Sequence, residues 1–289
     1  MMSEQFWRQL RLVLLILAVI VISYPLFISV LEGLRIDLGP LMSGRGVSYF
    51  GRFFQGTGGI TPSFAVWRRI LQQEAFPRLV LNSTSIALMS IGVAVLVGVP
   101  AAYSMARHKF AGKKIFTLML LSLRTVSPFA VIVPFYLLYT ELGLYDTHQG
   151  ISIVYLVINI PIVVLMMRGF FSDIPREIYE AASTSGASET TILRKIALPL
   201  ALPGLIATII FAFVVTWNEY LYALILSGIR AKTVSRGVWA GFGESIEGFG
   251  ILDFDELNVA GTMAILPAAV LALMIKKYLA RGFSLGTLK

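Results

Sequence analysis

The run Glu180-Ala181-Ala182-Ser183-Thr184-Ser185-Gly186, followed by Ile196-Ala197-Leu198-Pro199, carries the residues best suited to contact with another molecule. Their chemistry is recognition, not catalysis. Small side chains let a partner's backbone come close, Glu180 offers a carboxylate to a basic group, and Gly186 permits the left-handed turn that ends a helix. Ile178, Ala181, Ala182 and Ser185 fall on one helical face, flanked by Glu177, Glu180 and Glu189. Ser188 is placed to cap a second helix, whose apolar stripe is Ile192, Leu193, Ile196 and Ala197, and Pro199 marks its end. The segment reads as a helix-turn-helix with small residues at its tip. An ordinary amphipathic loop lying on its own bundle would share much of this pattern.

Nothing else along the chain supplies bond-breaking chemistry. There is no H-E-x-x-H, no nucleophile set beside a base, and no G-x-x-x-x-G-K-[ST] phosphate loop. Cysteine is absent, which excludes disulfides and thiolate metal sites. His108 and His148 lack a second ligand at metal spacing, so no metal site is expected. The formal charge of +8 is dispersed among hydrophobic segments, which fits basic loops beside membrane spans and not a nucleic-acid surface.

The elements that must hold the segment follow from hydropathy. With 57% apolar and 14% charged residues and a mean hydropathy of +0.80, the chain reads as an all-α membrane protein forming one bundle. Six stretches, near 12–32, 81–105, 116–139, 150–170, 200–226 and 259–280, approach the roughly 20 helical residues that cross about 30 Å of hydrocarbon. The first is too long for a signal-peptide core and no small-x-small cleavage site follows it, so it reads as an uncleaved span.

Even parity puts both termini on one side. That side carries Arg8, Arg11, Arg107, Lys109, Lys113, Lys114, Arg168, Arg176, Arg194, Lys195, Lys276, Lys277, Arg281 and Lys289 in short segments, against Arg230, Lys232 and Arg236 opposite. The positive-inside rule then predicts cytoplasmic N and C termini and a cytoplasmic loop over 171–199.

Residues 1–80 read as the first span plus a long extracytoplasmic segment, Gly- and Ser-rich over 39–63, with a surface helix over 64–76. Residues 81–289 read as the core domain. The 243–258 stretch, with Glu244, Glu247, Asp253, Asp255 and Glu256, reads as an acidic outer loop, either solvated or a docking surface.

Charged groups inside spans cost about 2.5–3.5 kcal/mol on insertion scales, which makes each a functional suspect. Arg124 either lines a pathway or subunit contact or snorkels to the interface. Glu219 either faces a cavity or makes a structural contact. Asn82, Asn159 and Asn218 are neutral candidates that can equally tie helices together. Trp217 and Tyr220 flank the polar pair Asn218-Glu219, and Pro128, Pro134 and Pro161 free backbone carbonyls within spans.

The spacing E-A-A-x3-G-x9-I-x-L-P in residues 180–199 resembles the cytoplasmic loop of the membrane subunits of ATP-binding-cassette importers. Trp217-Asn218-Glu219-Tyr220 resembles the pattern of their carbohydrate-uptake branch, and the tail from Lys277 to Lys289 resembles that of the maltose-type second permease. The resemblance covers roughly residues 80–289. It implies a six-helix permease in a prokaryotic inner membrane, coupled to an ATPase through Glu180, Ala181, Ala182, Gly186, Ile196, Leu198 and Pro199. It implies Arg124, Asn159, Trp217, Asn218, Glu219 and Tyr220 as pathway or inter-subunit residues. The implied partners are two copies of an ATP-binding subunit, a second and non-identical permease, an extracytoplasmic solute-binding protein, and lipid. ATP and magnesium would sit on the ATPase, with no cofactor on this chain. In maltose-type importers the sugar is held mainly by the partner permease. Two other readings stay open: a permease for a non-sugar solute, and an ion-coupled secondary transporter, which would call for paired intramembrane carboxylates or internal repeats.

Overall fold

Long runs of Ile, Leu, Val and Ala can enter hydrocarbon only if every backbone polar group is satisfied locally, and the helix does this. The computed structural model describes residues 65–72, 75–125, 128–240 and 254–284, with a few positions between 11 and 24, and no strand occurs among them. The expected 39–63 loop and most of the expected 12–32 span lie outside the described residues. Eleven helices are used below: α1 (Ala65–Gln72), α2 (Ala75–Arg107), α3 (Lys113–Thr125), α4 (Pro128–Glu141), α5 (His148–Ser172), α6 (Arg176–Thr184), α7 (Glu189–Leu200), α8 (Leu202–Trp217), α9 (Leu221–Leu226), α10 (Val234–Ala240) and α11 (Phe254–Ser284).

In the 116–139 stretch α3 is described up to Thr125 and α4 from Pro128, with 126–127 outside the described residues. One expected span is not a single helix. The 200–226 stretch is divided between α8 and α9. Among the described residues, α2 and α5 are long and apolar enough to cross a membrane alone, and α7 with α8 makes a third candidate bent by 77°. That bend has a covalent cause. Pro199 and Pro203 each remove a helical donor, and Ala201 between them has left helical geometry at φ −85°, ψ 4°.

The chain divides into two compact units, residues 1–77 with 238–265 and residues 78–237 with 266–289. In the first, Arg69 on α1 meets the buried Glu256 at 3.1 Å. Glu256 thus belongs to the first turn of α11 and not to the acidic loop expected over 243–258. In the second unit α2, α5 and α8 lie side by side. Ala87, Ile91, Ile162 and Ala212 fill one junction, and α8 comes so close to α5 at Gly204 that a β-carbon there would enter the Phe170 ring. Asn159 is fully buried between these helices, donating to Ser90 Oγ at 3.0 Å and accepting from Thr216 Oγ1 at 3.0 Å. It acts as a three-helix staple.

Asn82 and Arg107, near opposite ends of α2, are roughly 38 Å apart at about 1.5 Å per residue, and each end gathers its own loops. At one end Asn82 donates to the carbonyls of Arg230 and Lys232 and meets His148 Nε2 at 2.9 Å. Nearby, Asp146 sits at φ +56°, a conformation that Asp tolerates better than most residues. Its carboxylate accepts from the backbone N–H groups of Gly228, Ile229, Arg230 and Ala231 at 2.6–3.1 Å. Burial alone would raise the Asp146 carboxyl, but those four donors outweigh it and hold it below the ordinary value.

Because the folded value lies under the ordinary aspartate value of about 3.9, this contact stabilises at neutral pH and is lost as pH falls through the lowered value. Asp146→Asn should therefore lower stability at pH 7 by about 1–3 kcal/mol. Between pH 5 and pH 3, on the order of the titration range, the thermal midpoint in detergent should fall more steeply for the native chain than for the variant. Parallel curves would contradict the assignment.

Candidate functional site

At the other end of α2, α6 and α7 form a hairpin that joins α5 to α8. Its turn is built from backbone chemistry. Gly186 N–H donates to Ser183 O at 3.0 Å and Ala187 N–H to Ala182 O at 3.1 Å, with Gly186 at φ +79°. These are the two bonds of a Schellman helix end, with glycine at the left-handed position. The small pair Ala182 and Ala187 both settle against the bundle core. One residue later Ser188 adopts extended geometry, and its hydroxyl accepts from Thr191 N–H and contacts the Thr191 hydroxyl at 2.8 Å, which opens α7. A single π turn, Leu193–Ala197, then carries α7 towards Pro199.

The hairpin's inner side is part of the bundle. Tyr179 is 4% exposed, and Ile192 and Ala197 are fully buried, in one apolar cluster with Val99, Ala102 and Met105 of α2 and Val163, Met167 and Phe171 of α5. Burying a side chain of the size of Ile192 contributes about 1.5–3 kcal/mol. Tyr103, Phe171 and Tyr179 meet edge to face at centroid distances of 5.7 and 6.1 Å. The Arg107 guanidinium lies 4.9 Å over the Tyr179 ring and reaches Ser183 Oγ at 3.4 Å. Burial pushes the Tyr179 phenol above its ordinary range, with Arg107 opposing, so the hydroxyl stays neutral and donates to Phe171 O at 3.2 Å. Tyr103 donates to Glu189 at 2.7 Å, tying α7 to α2.

The outer side is bare. Glu180, Ala181, Ser185, Gly186 and Pro199 are exposed, and Ile178 is 37% exposed although apolar. Of the face that the sequence singles out, Ile178, Ala181 and Ser185 are turned to solvent while Ala182 packs against the core, and Tyr179 provides the seat. Ile196 and Leu198 are half-buried. The hairpin brings the residues from 180 to 199 together on one projection. The sequence reading missed Tyr103, Arg107, Phe171 and Tyr179. An aromatic at 179 beside a glutamate was the available signal, but its partners lie up to 76 positions away in sequence.

The membrane-level candidates lie elsewhere. Trp217 is buried and stacked on Phe213 at 5.4 Å. Asn218 ends α8, donating to Val214 O at 2.8 Å. Glu219 accepts from the N–H groups of Tyr222 and Ala223 at 3.2 and 3.3 Å, which caps α9. The Glu219 carbonyl accepts from Ser235 Oγ. Trp217-Asn218-Glu219-Tyr220 therefore occupies the break between two helices, where the freed amides call for an acceptor. Arg124 lies in α3, and its side chain is outside the described residues.

Comparison with known proteins agrees with this geometry. Residues 94–285 match the family model for the binding-protein-dependent transport system inner membrane component. A probable ABC transporter permease of Sinorhizobium fredii is 31% identical over 79% of this chain and 80% of its own length. The trehalose transport system permease SugB of Mycobacterium tuberculosis is 29% identical over 79% of this chain and 83% of its own. A bacterial ABC transporter involved in alginate import superposes with a TM-score of 0.72 at 21% identity, over 96% of this chain and 98% of that one. The chain belongs to the family of binding-protein-dependent transport inner membrane components, as a permease of an ABC importer.

Removing the seat should loosen the hairpin without dissolving the bundle. Tyr179→Ala deletes a buried ring, a change that costs about 3–5 kcal/mol in packed cores. Hydrogen exchange over 176–200 should accelerate while 150–170 stays protected; equal protection of both segments would contradict the anchoring role.

Proposed function

We propose that this chain is the membrane permease of an ATP-driven, binding-protein-dependent importer of a sugar or oligosaccharide, and that the α6–α7 hairpin receives force from a separate ATP-hydrolysing subunit. One observation carries the coupling role. The hairpin's inner side is continuous with the core of α2 and α5, while its outer side presents Glu180, Ala181 and Gly186 to solvent, uncovered among the described residues. A subunit that grips the outer side must move the inner side with it. Closure of an ATPase pair would then become rigid-body rocking of the bundle, which is alternating access.

The remaining parts of the proposal rest on independent supports. Arg107, Lys109, Lys113, Lys114, Arg168, Arg176, Arg194 and Lys195 lie in the hairpin or in segments flanking the same ends of the apolar stretches, which supports a cytoplasmic hairpin, and even parity over six stretches supports cytoplasmic termini. The absence of a phosphate loop from the sequence supports ATP and magnesium being held by another subunit. The family description supports an extracytoplasmic solute-binding protein. A second permease, non-identical by its resemblance to the maltose-type pair, would complete the pathway. The similarity to a trehalose permease supports a sugar as the solute.

Two substitutions test the coupling role. In Gly186→Leu the added β-carbon has no neighbour within 4 Å, but it is forced into left-handed backbone at a cost of roughly 1–2 kcal/mol. It should abolish uptake in cells while the chain still inserts in the membrane. Glu180→Lys should release the ATPase or leave its hydrolysis unresponsive to the binding protein. Normal uptake with the first variant, or normal stimulated hydrolysis with the second, would refute the role.

A further inference from the structure

We propose that a cleft beside the hairpin's end of the bundle binds the phosphate of an anionic membrane lipid headgroup. The cleft, of about 530 Å³, lies where the first turn of α3 meets α5, and Lys113, Lys114, Thr117 and Arg168 converge on it. Arg168 comes from α5, donating to Thr117 Oγ1 at 3.2 Å, and the Thr117 hydroxyl in turn donates to Lys113 O at 2.8 Å. The guanidinium is thereby fixed in place with most of its five N–H donors still available.

Electrostatics make the arrangement unfavourable when the cleft holds no anion. Lys113 and Lys114 are the first two residues of a 13-residue helix, where the backbone amides already carry partial positive charge and cations are disfavoured. Arg168 adds a third cation from another helix. No carboxylate among the described residues stands within ion-pair distance of these three groups. Three cations and a helix N-terminus facing one cleft describe a site that an anion completes.

The surroundings identify the source of that anion. Phe110 and Leu118 line the same cleft and are 45% and 55% exposed, and Ile115 beside them is 68% exposed. Free phosphate gains nothing from apolar side chains, whereas a lipid lays its acyl chains along them. Arg168 also lies four residues before the end of α5, a helix long and apolar enough to cross a membrane, and the ends of such helices meet the headgroup layer.

The test uses the full-length chain extracted in its native assembly, with bound lipid counted by native mass spectrometry. Phosphatidylglycerol should be retained in preference to phosphatidylcholine. Lys113→Gln with Lys114→Gln should reduce that preference by about fivefold per lysine, roughly 25-fold together, and Lys113→Arg with Lys114→Arg should keep it. Thr117→Val, which preserves every charge but frees Arg168, should reduce the preference in part. Equal retention of the two lipids, unchanged retention in the glutamine variant, or displacement of phosphatidylglycerol by equimolar inorganic phosphate would each overturn the proposal.

Discussion

Tyr179, Ile192 and Ala197 of the hairpin lie in the same apolar cluster as α2 and α5, and this shared core fixes what the hairpin can do. A loop held only by its ends would bend when pushed. This one is bolted through the centre of its inner face, with the Tyr103–Glu189 bond and the Arg107–Tyr179 stack closing the edges. Close-packed interiors transmit displacement instead of absorbing it. The outer face is therefore rigidly joined to the bundle, and small residues stand exposed at its tip.

The bundle obeys the same economy at its other polar points. Asn159, Glu219 and Asp146 each carry a polar group that an apolar setting penalises, and each is bonded to groups that helix geometry leaves in need. Glu219 and Asp146 accept from backbone amides at the start of a helix or a turn, and Asn159 bridges two hydroxyls between helices. The break at Asn218 is thus a stabilised interruption, whereas the bend at Pro199 and Ala201 has a covalent cause. They let a bundle of short and long helices change direction at defined places, consistent with helices that rock as bodies about fixed corners.

Much of the hairpin was legible beforehand because its determinants are local. Glycine at 186, a capping serine at 188 and proline at 199 act within a turn or two of themselves, and the structure places a Schellman end, a cap and a bend there. Window-averaged hydropathy found the apolar stretches around α2, α5 and α11 for the same reason. It could not register that 200–226 is carried by two helices, because averaging over about 20 residues hides a break as short as the one between Trp217 and Leu221.

The sequence by itself determined which segments are apolar, where the backbone must turn, and which small residues stand at the hairpin's tip, since each depends on near neighbours in the chain. Tertiary structure alone decided which face of α6 turns inward, because Tyr179 is seated by Tyr103, Arg107 and Phe171 from two other helices. It also decided that Glu219 caps a helix and that Lys113, Lys114 and Arg168 share a cleft. Those outcomes rest on distances between residues far apart in sequence, and charge and burial act through distance in space.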